Sequence, residues 1–336
     1  MVTRVKSWCG IALWFLAGLA CGLGQSNLSR TTTYTHTCDA SAAVALDADR
    51  FVVASDEDNV LRIYSRKRPG PPVSALDVSP FLQLTGKSPE ADLEGAARAG
   101  NRIFWISSHG TSASGKASPN RHRFFATDIL TTGEETTLLP LGAPYRFLLR
   151  DLIREPGLSR FDFARAAETD PKKPGALDIE GLCATAEGHL LIGFRTPIPG
   201  GKALLIPLLN PNAVLERKPA SFGEAILLDL DGLGIRSLDY HQGRYWIIAG
   251  HYDNRTPARL YAWAGEHTKP RWLKEINLAG FNPEAMVPGE SSAGEFHIIC
   301  DDGGVSIGGE DCKDLKDANL KRFRSFPVFI DTRVTQ

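Results

Sequence analysis

The chain has 336 residues, with 38 Lys plus Arg against 39 Asp plus Glu and a formal charge of −1. That balance excludes a strongly basic nucleic-acid binder, and 43% hydrophobic residues with 16 Phe and 6 Trp exclude a disordered chain. With 32 Gly and 21 Pro, the composition favours many turns over long helices.

In chain order, Arg4 and Lys6 come first, followed by an uncharged apolar run from Trp8 to Leu23 and then polar Gln25, Ser26 and Asn27. This pattern predicts a secretory signal over residues 1–24, cleaved after Gly22 or Gly24. No later run reaches about 18 apolar residues, so no transmembrane span is expected. Leu19-Ala20-Cys21 approximates a lipobox, with Gly18 where a large aliphatic residue is usual, so a lipid anchor on Cys21 is the alternative. Either route places the mature protein in the periplasm or outside the cell, where disulfides are permitted. Of the remaining cysteines, Cys38 and Cys312 lie in polar, loop-like surroundings, and joining them would tie the chain ends together. Sequence leaves three full pairings open. Cys183 and Cys300, flanked by apolar residues, read as buried core residues.

Residues 31–336 carry a repeat and are expected to form one domain. Leu93-Glu94-Gly95-Ala96-Ala97 and Ile179-Glu180-Gly181-Leu182-Cys183 are each followed by a Gly-containing turn and an apolar strand, at an offset of 86 residues. Three weaker copies occupy Ser41 to Asp56, Arg236 to His251 and Glu284 to Asp302. In four copies the residue that anchors the first strand and the residue that closes the second are 15 apart; the fifth has a longer turn. Strand-like runs follow each hairpin, so each unit resembles a four-stranded blade that needs neighbours on both faces. The expectation is an all-β propeller of five blades, with six as the alternative. The last unit lacks a fourth strand, which Thr31 to Thr37 can supply from the other end of the chain. Between the second and third units, Tyr145, Leu148, Leu149, Leu152 and Ile153 recur at helical spacing, predicting a short helical insert near 143–170.

Inner strands of a propeller line its channel, and a hairpin returns its closing residue to the level of its anchor. The anchors Ser41, Glu94, Glu180, Arg236 and Glu284 should therefore share one mouth with the closers Asp56, His109, Arg195, His251 and Asp302. Converging carboxylates repel unless a cation lies between them, so Glu94, Glu180 and Glu284, helped by Asp56 or Asp302, are candidate ligands for a divalent metal, with Ca²⁺ preferred for its oxygen donors. Pairing of the glutamates with Arg195 and Arg236 would satisfy the ring without a metal. Arg195 and Arg236, with Lys116 and Lys202 seven residues beyond two closers, are candidate contacts for a small anionic ligand or substrate. His109 and His251 are candidate general acids or bases. Asn254-Arg255-Thr256 fits a glycosylation sequon, relevant only in a eukaryotic host.

The runs Phe51 to Asn59, Glu94 to Arg98, Ile103 to Gly110, Ile179 to Leu182, Gly201 to Leu205, Gly232 to Arg236 and Asn282 to Glu284 resemble a bacterial family of exported proteins of unknown function. The Asp-x-Glu-Gly turns at Asp92 to Gly95 and Asp178 to Gly181 are also similar to those of esterase-like phytase propellers. That second resemblance implies a metal-dependent hydrolase of phosphate or carboxylic esters, in which His109 or His251 moves the proton and Arg195 or Arg236 stabilises developing charge. The other reading is an exported binding protein, expected to be a monomer, that grips a small anionic ligand, a divalent cation or both. The Asn282-Pro283-Glu284-Ala285 turn lacks the glycine, and Arg236 stands where a carboxylate would.

Overall fold

The structure, a computed structural model, describes residues 31–330 apart from 87–88, 113–114, 134, 172 and 290–293. The predicted signal segment and the Cys21 anchor lie outside the described residues. Five four-stranded antiparallel sheets succeed one another along the chain. The first strand, β1 (Thr32–Thr35), is set aside for the last of them. Blade one holds β2 (Ala42–Ala45), β3 (Arg50–Ala54), β4 (Val60–Ser65) and β5 (Ser74–Asp77). Blade two holds β6 (Leu93–Ala99), β7 (Arg102–Ser107), β8 (Phe124–Thr132) and β9 (Glu135–Tyr145). Blade three holds β10 (Asp178–Ala184), β11 (Leu190–Thr196), β12 (Ala203–Leu208) and β13 (Ile226–Leu228). Blade four holds β14 (Gly234–His241), β15 (Arg244–Gly250), β16 (Arg259–Trp263) and β17 (Arg271–Trp272). Blade five holds β18 (Pro283–Pro288) and β19 (Glu295–Cys300), then a small hairpin of β20 (Ser306–Ile307) and β21 (Glu310–Asp311), then β22 (Arg322–Phe329), and is completed by β1.

The apolar runs of the second strands follow from burial on both faces. In β3, Val52 and Ala54 enter the core shared with blade two, while Phe51 and Val53 enter the core shared with blade five. In β15, Trp246 and Ile248 face blade five, and Ile247 and Ala249 face blade three. A strand that alternates between two apolar seams reads as a continuous hydrophobic run. The ring closes by the pairing of β1 with β22, where Thr32 lies opposite Ser325 and Thr35 opposite Arg322. Tyr34 of β1 stacks on Phe323 and meets Tyr64 and Phe51 edge-on, filling the seam between blades five and one. A disulfide joins Cys38 to Cys312, as the polar surroundings of those two residues suggested, while Cys183 and Cys300 are buried free thiols.

Five blades stand, and the six-bladed alternative falls. The stretch after Thr132 is not helical throughout: residues 135–145 form β9, the fourth strand of blade two, and Tyr145 closes that strand. Helical structure begins at Leu148–Arg154, continues as a 3-10 turn at Pro156–Phe161 and ends at Phe163–Ala166. Its apolar residues Leu148, Leu152, Phe161 and Phe163 pack into the seam between blades two and three, so the insert caps a joint of the ring. Among the described residues, no helix is long and apolar enough to cross a membrane.

Candidate functional site

The anchors reach the axis through a local defect repeated in four blades. In blade two, Leu93 lies opposite Ser107 and Gly95 opposite Ile106, so Glu94 has no partner across the ladder. The same skip leaves out Glu180 in blade three, Arg236 in blade four and Glu284 in blade five. An unpaired bulge residue bends the strand and re-aims its side chain. The glycine that follows has its own cause. A Cβ on Gly181 would meet Ile235 Cγ2 of the next blade at 2.8 Å, and one on Gly95 would lie 3.1 Å from Leu182 Cβ of its neighbour. The Glu-Gly pair therefore joins a side chain thrown inward to a backbone that lets the adjacent blade approach.

Two residues before each anchor lies a second circle: Asp39, Asp92, Asp178, Gly234 and Asn282. Asp92 and Asp178 belong to the Asp-x-Glu-Gly turns, and a constant offset from the anchors is the sequence signal for the whole circle. At Gly234 a Cβ would fall 1.9 Å from the carbonyl oxygen of Arg195, so this position admits no side chain.

On one side of the axis the charges are paired. Arg195 donates to Glu180 Oε1, to the Tyr252 carbonyl at 2.9 Å and to Asn254 Oδ1 at 2.8 Å. Arg236, 3% exposed, donates to Glu284, to Asn282 Oδ1 at 2.8 Å and to Asn254 Oδ1 at 2.9 Å, and its Nε lies 3.5 Å from Glu180 Oε2. Asn254, the residue of the sequon, is thus bound into this network. Burial acts against the charge of Arg195, but Glu180 and Asp178 beside it raise its pKa overall.

The other side carries an excess of acid. Asp92 accepts from Ser108 Oγ and pairs with Arg121 Nη1 at 3.0 Å, and Arg121 also pairs with Glu90. Among the described residues Asp56 receives no guanidinium, and its Oδ1 is buried without a hydrogen-bond partner. Glu94 makes no hydrogen bond or ion pair within 4 Å among the described residues. Oxygens of Asp56, Asp92 and Glu94 lie within 4.8 Å of one another. Burial, then the charges of Asp56, Asp92 and Glu180, hold the Glu94 carboxyl well above the usual range. Burial followed by Asp301 does the same to Asp56, and burial pushes Asp92 up to about 7 despite Arg121. Asp39 is raised to about 8 by burial and then by Asp56. Arg121 sits in the loop between β7 and β8, outside any repeated position, and carried no signal in the sequence.

The remaining candidates lie elsewhere. Asp302 accepts from Arg324 through both carboxylate oxygens and from the Arg324 backbone N–H, so it serves blade five rather than the axis. His109 is fully buried, shares a 2.7 Å hydrogen bond between Nδ1 and the Ser107 carbonyl, and stacks on His122 with ring centroids 5.4 Å apart. Burial, followed by His122, lowers its pKa to about 3. His251 pairs with Asp253 and Arg255 within the loop after β15, the loop that also brings Asn254 to Arg195 and Arg236. Lys202 pairs with Asp229 at 2.6 Å, and Lys116 is exposed.

The molecule is a five-bladed propeller whose axis carries paired charge on one side and surplus carboxylate on the other. Residues 144–278 match the model of a family described as "Protein of unknown function (DUF3616)". No curated protein matches the chain. Among solved structures, the chain is similar to Myxococcus xanthus glutaminyl cyclase at 10% identity and a TM-score of 0.45, covering 90% of this chain and 96% of that one. It is similar to a candidate oxidoreductase (glucose dehydrogenase) from Thermus thermophilus at 12% identity and a TM-score of 0.43, covering 89% and 99%. Trypanosoma rangeli sialidase is similar at 8% identity and a TM-score of 0.40, covering 79% of this chain and 43% of that chain.

Proposed function

We propose that this propeller binds a divalent cation, calcium by its donor set, at the axial carboxylates of its first two blades. The observation that supports the reading is the convergence of Asp56, Asp92 and Glu94, with Glu94 unpaired and Asp56 Oδ1 buried without a partner. Carboxylates at this separation repel strongly in a buried site, and a hard divalent ion ligated by oxygen removes the repulsion. The ligand set differs from the one expected in sequence. Glu180 and Glu284 have their charge answered by Arg195 and Arg236, and Asp302 by Arg324, so the demand for a cation moves toward blades one and two.

The same pairing changes how an anionic ligand would be held. Arg195 and Arg236 are committed to glutamates and asparagines, so in this reading a phosphate or carboxylate docks against the cation and not against the arginines. Ester hydrolysis is the alternative function, and it requires a proton carrier beside the metal. Neither His109 nor His251 belongs to the cluster of Asp56, Asp92 and Glu94, and burial disfavours the protonated form of His109, so binding is the better supported reading.

Calorimetric titration of the metal-free mature protein with Ca²⁺, Mg²⁺ and Mn²⁺ tests it. Saturable binding of one ion, lost in Glu94→Gln and in Asp56→Asn but retained in Asp302→Asn, is the expected result. Absence of binding by the folded wild-type protein for all three ions overturns the proposal. A ligand at one hundred times its Kd stabilises the native state by about 2.7 kcal/mol, so thermal melting gives a second readout.

A further inference from the structure

A cavity of about 370 Å³ runs along the axis from Glu94, Glu180 and Glu284 to the turn at Gly100. Its wall includes Ala43, Ala45, Ala96 and Ser237, side chains too small to fill the bore. A second carboxylate stands lower down. Asp239 lines the cavity and accepts one hydrogen bond, at 2.8 Å, from the Tyr240 backbone N–H beside it. It makes no ion pair among the described residues. Asp239 lies three residues beyond Arg236 on β14, and a strand rises about 3.3 Å per residue, so roughly 10 Å separates the two acidic levels. Arg98 is the cation on the cavity wall, and it is spent on the carbonyls of Ala45, Leu46 and Gly100. At the upper level Glu180 is held by Arg195 and Arg236, which leaves Glu94 as the carboxylate without an ion pair there among the described residues.

We infer that the channel binds a slender aliphatic diammonium ion, a diamine or polyamine, with one ammonium at Glu94 and the other at Asp239. Each ammonium offers three donors to a carboxylate that lacks a cationic partner among the described residues. The methylene chain between them lies along the alanines, where its burial is favourable. A divalent metal at the upper level leaves Asp239 and the apolar bore unused; a two-headed organic cation uses both. The inference shares Glu94 with the proposed metal site but does not depend on a metal being bound.

Calorimetry with 1,4-diaminobutane, spermidine and butylamine on the mature chain is the test, with a melting curve as the check of folding. The diamine is expected to bind at least about tenfold more tightly than butylamine, which carries one ammonium. Asp239→Asn should reduce the diamine to the butylamine level while leaving any Ca²⁺ titration unchanged, and Ala96→Leu should block the diamine by narrowing the bore. Equal affinity for diamine and monoamine, no diamine binding by the folded wild type, or full diamine affinity in folded Asp239→Asn overturns the inference. If Ca²⁺ fails to bind while the diamine binds, the metal reading falls and this one stands.

Discussion

Arg195 donates through Nη1 to Oε1 of Glu180 at 2.5 Å across fifteen positions of sequence. Fifteen is the interval by which a propeller hairpin brings its closing residue back to its anchor, so the repeat spacing and the ion pair are one relationship. In blade one the interval is bridged differently, by the Asp56 backbone N–H donating to Ser41 Oγ at 3.1 Å. That difference leaves the Asp56 carboxylate with a neutral hydroxyl from its own hairpin and no guanidinium among the described residues, with an oxygen within 4.8 Å of those of Asp92 and Glu94 in blade two.

Arg236 compensates two buried glutamates from neighbouring blades. Arg236→Met should therefore cost about 3–5 kcal/mol, the usual penalty for stranding a buried charge. Adding Glu284→Leu should recover much of the loss, because the charge left behind is removed with it. Urea denaturation of the single and double variants measures both steps.

The axial carboxylates give the metal-free protein a distinctive pH dependence. Burial raises Asp92 and Asp178 to about 7 and Asp39 to about 8, from an ordinary 3.8. Between these limits the native state holds protons that the unfolded chain has released, so their contribution to stability falls as pH rises from about 4 to about 8. His109 has the opposite sign: its native pKa of about 3 lies below the ordinary 6.5, so stability falls as pH drops through that interval. Melting temperature against pH, with and without Ca²⁺, should show the ion's stabilising effect growing steadily toward pH 8.

Gly181→Ala places a methyl group 2.8 Å from Ile235 Cγ2 and 3.1 Å from Gly193 Cα. Overpacking of this kind costs about 1–3 kcal/mol. Gly188→Ala, in a turn with open space around it but a left-handed φ of 84°, isolates the backbone cost from the packing cost. Denaturant midpoints of the two variants separate these effects. A Gly181→Ala protein as stable as wild type would show that the blades do not need this close approach.

The disulfide links Cys38 to Cys312, 274 residues apart. Its reduction is expected to lower stability by about 2–4 kcal/mol, read as a fall in the denaturant midpoint under reducing conditions. Asp39 follows Cys38, and the Cys38 carbonyl accepts from the Asp302 backbone N–H at 2.9 Å. Reduction should therefore also weaken any binding that depends on the Asp39 side of the axis.

Much of the architecture was legible because the inner hairpins repeat. Second strands such as β7 and β11 bury both faces, and burial on both faces writes itself into sequence as unbroken apolar runs. β9 escaped notice because it is an outer strand, half exposed, with Pro140 and Gly142 in its length, and because Tyr145 continues the helical spacing of Leu148, Leu149 and Leu152. At the site, Glu94 and Glu180 were visible as the residues before a glycine, and the other anchors only through the spacing of the repeated hairpins. Which glutamates would be neutralised was not, since that depends on Arg121 from a loop and on the direction Arg236 takes across a seam.

β1 is made early and pairs with β22, the last strand of the fold. Until β22 exists, no amount of correct structure in the blades between them can shut the ring, and β1 and β19, which both pair with it, present open edges. A stacked repeat protein can shed a terminal unit and keep the rest; here the loss of either end would unseat the seam held by Tyr34 and Phe323. Completion is therefore a single event for the whole chain, and a nascent or truncated copy stays an open fan with adhesive margins.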